Sequence, residues 1–301
     1  MPSSAAAPRV APWPGLLLAM LGAIAFSGKA IIVKLAYRYG VDAVTLIMLR
    51  MLFALPLFLL LAGWAGRGKP NLSARDWRVV ALLGFSGYYL ASFLDFWGLQ
   101  YISANLERLI LYLGPTLVLL LGRVLFKRRV APKQLLALAI SYAGVLLVFG
   151  QELQLAGADT VRGAALVFAS TLSYALYLVY SGEEVKRLGA LRLTGLASSV
   201  ACVLCILQFA LLRPWHSAWQ VAPPVLWLSL LNATLCTVAP VLMVMMAIER
   251  NGAAMASQAG MIGPSSTIAM SVWILGEAFT GWIAAGTALV LAGIWLLARM
   301  R

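Results

Sequence analysis

The chain has 301 residues, of which 62% are hydrophobic and only 11% are charged, and its mean hydropathy is +0.92. So few polar side chains cannot cover the surface of a water-soluble domain, which excludes a soluble enzyme or binding module. The net charge of +13 would fit a nucleic-acid-binding protein, but lysine and arginine also collect beside the cytoplasmic headgroups of membrane proteins. We therefore expect membrane lipids, and no nucleic acid, around these charges.

Apolar segments long enough to cross a bilayer follow one another along the chain. A spanning helix needs about 20 mostly apolar residues. The strands of outer-membrane barrels alternate apolar and polar residues, whereas these segments are apolar on all sides. We predict an all-α integral membrane protein with about ten transmembrane helices, near residues 14–35, 43–63, 79–99, 102–122, 133–150, 163–182, 192–212, 224–247, 253–275 and 280–298.

The two halves of the sequence match at a constant offset of 149 residues, without a gap. Internal duplication of this kind indicates a repeat architecture, here with five helices in each copy. An odd number of helices places the second copy upside down relative to the first. The matched dipeptides are Gly114-Pro115 with Gly263-Pro264 and Ala143-Gly144 with Ala292-Gly293.

Basic residues support this inverted arrangement. Lysine and arginine crowd the loops after the second and fourth predicted helices, but the equivalent loops around 216–227 and 272–282 contain none. The positive-inside rule places the first pair of loops in the cytoplasm and the second pair outside. We therefore expect an inner-membrane protein with both termini cytoplasmic, composed of a tail (1–13), a first repeat (14–150) and an inverted second repeat (151–301).

Five charged residues fall inside the predicted spans. Each costs about 2.5–3.5 kcal/mol at the membrane centre, so they must lie near one another or near water. Counting 1.5 Å per residue from the helix ends places all five in one layer, towards the non-cytoplasmic side. The equivalent positions of the second repeat carry no charge. The five residues are Lys29, Arg50, Asp95, Glu107 and Arg108.

This layer has two interpretations. In the first, it forms an outer gate and part of a substrate site, because its three positive and two negative charges leave one cation for a carboxylate or phosphate. In the second, two buried salt bridges fix the helix packing and never touch substrate. Lys29 and Asp95 could also reach the interface by snorkelling. A coupling proton, if there is one, would reside on Asp95 or Glu107, where burial and neighbouring cations have opposite effects.

The Gly-Pro pairs at equivalent positions predict helix hinges at Gly114, Pro115, Gly263 and Pro264. Broken helices at matching positions of two repeats point to a central site. We expect that site between the third, fourth, eighth and ninth helices. Aromatic residues at helical spacing can equally be core packing, so the lining is a hypothesis. The candidate lining residues are Tyr88, Trp97, Tyr112, Tyr177 and Gln258.

Catalytic and metal motifs are missing from the sequence. It has one histidine, His216, in a loop, and neither His-Glu-x-x-His nor Gly-x-Ser-x-Gly occurs. Cys202, Cys205 and Cys236 lie inside predicted spans without a nearby histidine, which favours apolar packing over zinc. We predict no metal, no cofactor and no enzyme activity.

The paired Gly-Pro dipeptides, the segment Ala104 to Pro115 after a short turn, and glycines 144 and 293 resemble the EamA family of the drug/metabolite transporter superfamily. The resemblance covers almost all of the chain. It implies a secondary carrier of small metabolites, often an exporter, that works by alternating access without a nucleotide site. The family commonly has an acidic residue in the link after the fourth helix, where this chain has Phe126-Lys127-Arg128-Arg129, whereas Gly276-Glu277 keeps the acid in the second copy.

We therefore expect a secondary active transporter, monomer or homodimer, that exports or exchanges a small polar metabolite such as an amino acid or organic anion. An alternative is uptake or exchange of a phosphorylated or nucleotide-sugar-like anion through Lys29 and Arg50. Other classes are a membrane enzyme, for which the catalytic motifs are missing, a scaffold, which would need no layered charges, and a channel, whose flux would not saturate.

Overall fold

A computed structural model describes residues 13–127, 131–244, 246–247, 250 and 262–299. Helices dominate this part of the chain, and no strand occurs among the described residues. In chain order the helices are α1 (Trp13–Tyr37), α2 (Ala43–Gly66), α3 (Ala74–Gly98), α4 (Ala104–Phe126), α5 (Pro132–Ala156), α6 (Ala158–Leu188), α7 (Ala190–Leu212), α8 (Pro223–Val244), α9 (Gly263–Met270, continued by a π-helical turn) and α10 (Gly281–Ala298).

Eight of these helices, α1 to α8, are long and apolar enough to cross a membrane. The sequence predicts ten spans. The ninth, 253–275, lies partly outside the described residues, and the apolar stretch of the tenth, Gly281–Leu296, is shorter than the others. The chain is therefore an all-helical, multi-pass membrane protein.

Polar residues in the short loops determine where several helices begin. Asp42 precedes α2 and accepts hydrogen bonds from the backbone N–H groups of Val44 and Thr45 at 2.9 and 3.2 Å. Ser73 and Asp76 form a reciprocal capping box. This cap starts α3 at Ala74, earlier than the predicted residue 79, because the first turn is polar and carries no hydropathy signal.

The two halves share irregular backbone features at the 149-residue offset. A π-helical turn interrupts α3 at Phe85–Leu90, and another interrupts α8 at Thr234–Val238. Lys127 and Gly276, which are also equivalent, both end a helix with a left-handed backbone, at φ 52° and 74°. Because π-helical turns are rare and a left-handed backbone is uncommon at a non-glycine residue such as Lys127, these shared positions support the duplication read from the sequence.

Helix neighbours also follow the duplication. Closely packed pairs include α2 with α7, α5 with α10, α3 with α6, and α1 with α8. The duplication makes α1 to α5 equivalent to α6 to α10, in the same order. Helices α2 and α7 are therefore equivalent to each other, as are α5 and α10, and the pair α3–α6 is equivalent to the pair α8–α1. The largest buried apolar cluster lies among α1, α2, α3, α7 and α8, and a second joins α4, α5, α6 and α10.

Small residues allow α5 and α10 to approach closely. A side chain at Gly144 would lie 2.5 Å from the carbonyl oxygen of Gly286, and one at Gly293 would lie 2.7 Å from that of Ala137. Position 144 therefore contacts 286 and position 137 contacts 293, which means that the two helices run antiparallel. Glycine is required here because backbone faces backbone.

We predict that Gly144→Ala lowers the stability of the protein. The added methyl group clashes with backbone, which costs about 1–3 kcal/mol in a packed interface. The matched control is Gly150→Ala on the same helix, where nothing lies within 4 Å of the added carbon. Thermal unfolding in detergent should show a lower melting temperature for Gly144→Ala only. Equal melting temperatures in both variants would contradict the packing described.

Candidate functional site

The site is centred on Lys29 of α1, which holds two carboxylates. Its Nζ atom lies 2.5 Å from Asp95 Oδ2 on α3 and 3.4 Å from Glu107 Oε1 on α4. Lys29, Asp95 and Glu107 are 7%, 2% and 0% exposed. Three helices of the first repeat are thus joined by one ammonium group in the interior of the bundle.

The two carboxylates are only partly compensated. Within the described residues, no donor makes a hydrogen bond to Asp95 Oδ1 or to either oxygen of Glu107. Glu107 interacts electrostatically with Asp95, Lys29 and Arg108. Two acids therefore share one ammonium in an apolar interior, where a charge that lacks hydrogen-bond partners is costly.

Arg108 points towards the second repeat. Its Nε donates to Thr267 Oγ1 on α9 at 2.8 Å, and its Nη2 donates to the carbonyl oxygen of Phe26 on α1 at 3.2 Å. The guanidinium lies 5.4 Å from the centre of the Phe26 ring, which Lys29 also faces at 5.4 Å. Arg108 therefore links α4 to α1 and α9.

Arg50 of α2 has a different environment. Its guanidinium lies 4.5 Å from the centre of the Phe96 ring, and its Nη2 makes a long contact of 3.9 Å to Met51 Sδ. Arg50 is 3% exposed, and within the described residues no carboxylate lies within salt-bridge distance of it. Its Nε has no hydrogen-bond partner there either.

The Gly-Pro dipeptides predicted to be hinges lie where α4 crosses α9. Helix α4 is interrupted at residues 112–113, immediately before Gly114-Pro115, and the described part of α9 begins at Gly263-Pro264. A side chain at Gly263 would overlap the Tyr112 hydroxyl, and Ser27 Oγ donates to the Gly263 carbonyl at 2.9 Å.

Further polar contacts continue along the same crossing. Ser271 donates to Asn105 Oδ1 at 2.8 Å, next to the Arg108–Thr267 contact. Partners 105, 108 and 112 on α4 thus meet 271, 267 and 263 on α9, an antiparallel order. Asn105, Thr267 and Ser271 are polar residues of ordinary helix composition, and the sequence reasoning did not select them.

The aromatic candidates separate into two groups. Tyr88 and Tyr177 meet, with their hydroxyl groups 3.2 Å apart and their rings 5.1 Å apart. Trp97 instead packs against Phe93 and faces Arg162 at 5.5 Å, away from Tyr88. Tyr112 lies at the α4–α9 crossing, and Gln258 lies outside the described residues.

A second polar cluster surrounds the start of α4. Glu277 accepts from the backbone N–H of Ala104 at 3.0 Å and from Asn105 Nδ2 at 2.9 Å, so the link before α10 caps α4. Glu152 of α5 accepts from the N–H of Ser103 at 3.1 Å, and Lys34 donates to the carbonyl of Ile102 at 2.9 Å. A cleft of about 540 Å³ lies among these side chains. The sequence pointed to Glu277 only as the acidic residue of the Gly276-Glu277 dipeptide. It could not show that Glu277 accepts hydrogen bonds from the start of α4.

Across the described ranges, histidine, cysteine, aspartate and glutamate form no group of three or more that could hold a metal ion. Cys202, Cys205 and Cys236 are buried free thiols.

Comparisons with known proteins agree with this architecture. The sequence matches the EamA-like transporter family twice, over residues 13–150 and 161–299. It is 28% identical over 269 residues to an uncharacterized transporter, YcbK, of Bacillus subtilis (strain 168), an alignment that covers 87% of this chain and 86% of that protein. One solved crystal structure aligns over 95% of this chain and 96% of its own, with a TM-score of 0.65 and 19% identity, which shows a common fold alone. The chain belongs to the EamA-like transporter family and is a membrane transporter of the drug/metabolite type.

Proposed function

We propose that the protein is a secondary active carrier that moves a small polar metabolite across the inner membrane by alternating access. The observation that carries this proposal is the buried layer of five charges at the meeting point of α1, α2, α3 and α4, next to α9. Charges at this depth cost too much to persist without a role in binding, coupling or packing. Transport accounts for them better than catalysis does, because the sequence lacks nucleophile and metal motifs.

Alternating access requires two halves that can rearrange around the site. We propose that the halves are inverted repeats, with both termini cytoplasmic. The antiparallel pairing of the equivalent helices α5 and α10, and of α4 and α9, supports this, as does the asymmetry of basic residues between equivalent loops. Gly114-Pro115 and Gly263-Pro264 would then be the hinges on either side of the site.

The substrate class we propose is an amino acid or another organic anion, with export as the direction of transport. The layer carries one more positive than negative charge, which suits a carboxylate. Phosphorylated or nucleotide-sugar-like anions are the second candidate, because Lys29 and Arg50 could face one anion if Lys29 released its carboxylates. We propose a coupling proton on the Asp95–Glu107 pair, since both acids share one ammonium.

Purified protein reconstituted in liposomes tests this function directly. Amino acids, organic acids, sugar phosphates and cationic drugs would be screened by thermal stabilisation, and each hit would then be measured by counterflow. Saturable uptake that requires preloaded substrate supports a carrier. Uptake that does not saturate would indicate a channel, and no flux with any stabilising compound would reject transport.

Glu107→Gln tests the coupling proton. It removes the titrating group and keeps the side-chain volume, so we predict that transport loses its dependence on pH while substrate still binds. The matched control is Asp159→Asn at the exposed start of α6, which should keep the wild-type pH profile. A pH profile that is unchanged in Glu107→Gln would reject this residue as the coupling group.

Pro115→Ala tests the proposed hinge. Alanine restores the backbone N–H that proline lacks and favours a continuous α4. We predict a higher melting temperature together with a several-fold lower transport rate. Pro56→Ala is the control, because α2 continues without interruption through Pro56. If Pro115→Ala transports at the wild-type rate, the interruption of α4 is not a working hinge.

A further inference from the structure

Four of the five charges in the layer compensate one another. Lys29 forms ion pairs with Asp95 and Glu107, and Arg108 attracts Glu107 electrostatically, so the formal charges of these two acids and two cations sum to zero. Arg108 also has hydrogen-bond acceptors in Thr267 and the Phe26 carbonyl. Neither Lys29 nor Arg108 therefore needs a further anion.

Arg50 is the cation that this balance leaves over. Its guanidinium carries a full charge at every physiological pH, and five N–H groups require acceptors. Among the described residues its direct contacts are the Phe96 ring at 4.5 Å and the Met51 sulfur at 3.9 Å, and Asp95 acts on it electrostatically from beyond salt-bridge distance. A buried charge with so few partners is strongly unfavourable unless an anion joins it.

The surroundings of Arg50 are apolar and rich in sulfur. Phe96, Met51, Cys202 and Cys205 are all buried members of the largest apolar cluster, and Cys202 Sγ lies 3.6 Å from Met51 Sδ. These apolar side chains favour a ligand whose remaining part is apolar. A guanidinium group binds a carboxylate through two parallel hydrogen bonds. The Arg50 guanidinium carbon lies over the Phe96 ring at 4.5 Å from its centre.

We propose that Arg50 is the residue that binds the substrate's charge, and that the substrate is a singly charged organic anion, a monocarboxylate with an apolar body. This deepens the proposed carrier function and rests on it. One guanidinium neutralises one negative charge. A phosphate dianion would leave a second charge without a partner, because the neutral group would have to release Lys29 or Arg108 to bind it. We therefore favour a carboxylate over the phosphorylated anions that the sequence left open.

Thermal stabilisation of the purified protein tests this proposal. The probes are short-chain, branched and aromatic monocarboxylates, each with its uncharged carboxamide, together with phenyl phosphate and benzylamine. We expect saturable stabilisation by one or more monocarboxylates, and none by the matching amides or by phenyl phosphate. Preference for phenyl phosphate, or equal effects of acid and amide, would overturn the assignment.

Substitutions then locate the binding residue. Arg50→Met should weaken monocarboxylate binding by at least about tenfold, since a charge-assisted pair is lost. Arg50→Lys keeps the charge without the fork and should weaken it less. The control is Arg162→Met, which removes an exposed arginine that lies 4.8 Å from the Tyr101 ring and should leave binding unchanged.

A purely structural role for Arg50 gives a different result. In that case the variants have a lower melting temperature than the wild type in the absence of any probe, but they bind the monocarboxylate with the wild-type dissociation constant. That result would overturn the proposal. If Arg50→Met does not fold, the affinity of Arg50→Lys decides alone. Saturable transport of a neutral or cationic compound, with no effect of any monocarboxylate, would refute this inference and leave the carrier function standing. Failure of every compound class would reject the carrier function itself.

Discussion

Compensation of buried charge is the constraint on which the rest of this bundle depends. Removing one partner of a buried ion pair costs about 3–5 kcal/mol, which is comparable to the whole stability of many proteins. Lys29, Asp95, Glu107 and Arg108 come from α1, α3 and α4, so their mutual neutralisation requires these helices to hold one arrangement. An arrangement of this kind changes when a proton or a charged ligand arrives, which suits a transporter.

The contacts around the layer connect that chemistry to helix movement. Arg108 joins α4 to Thr267 of α9, and Tyr112 lies against Gly263 where both helices have their Gly-Pro dipeptides. Glu277 caps α4 from the far side of α9. A change of charge on Glu107 would therefore be felt at the α4–α9 crossing, where equivalent helices of the two repeats meet near the layer. This is the physical basis of the alternating-access proposal.

Sequence reasoning could predict the layer and the duplication, but it could not predict the partners. The 149-residue offset anticipates the π-helical turns in α3 and α8 because repeated sequence repeats its backbone. The partner of Lys29 depends on how far side chains extend between three helices, which the sequence does not show. Lys29 forms ion pairs with both acids, whereas the salt-bridge interpretation has two separate pairs. Thr267 was missed because a hydroxyl in a membrane helix is common, and only the fold places it beside Arg108. Trp97 was selected as an aromatic candidate, and only the fold shows that it packs against Phe93 and faces Arg162.

A double-mutant cycle between Lys29 and Asp95 tests the central claim most directly. Lys29→Met and Asp95→Asn would be measured alone and together by thermal unfolding in detergent, because only the cycle isolates their coupling. Charge compensation predicts that Lys29→Met is strongly destabilising and that adding Asp95→Asn recovers much of the loss, since Glu107 and Arg108 remain as a balanced pair. Additive effects of the two substitutions would contradict a shared, compensated layer.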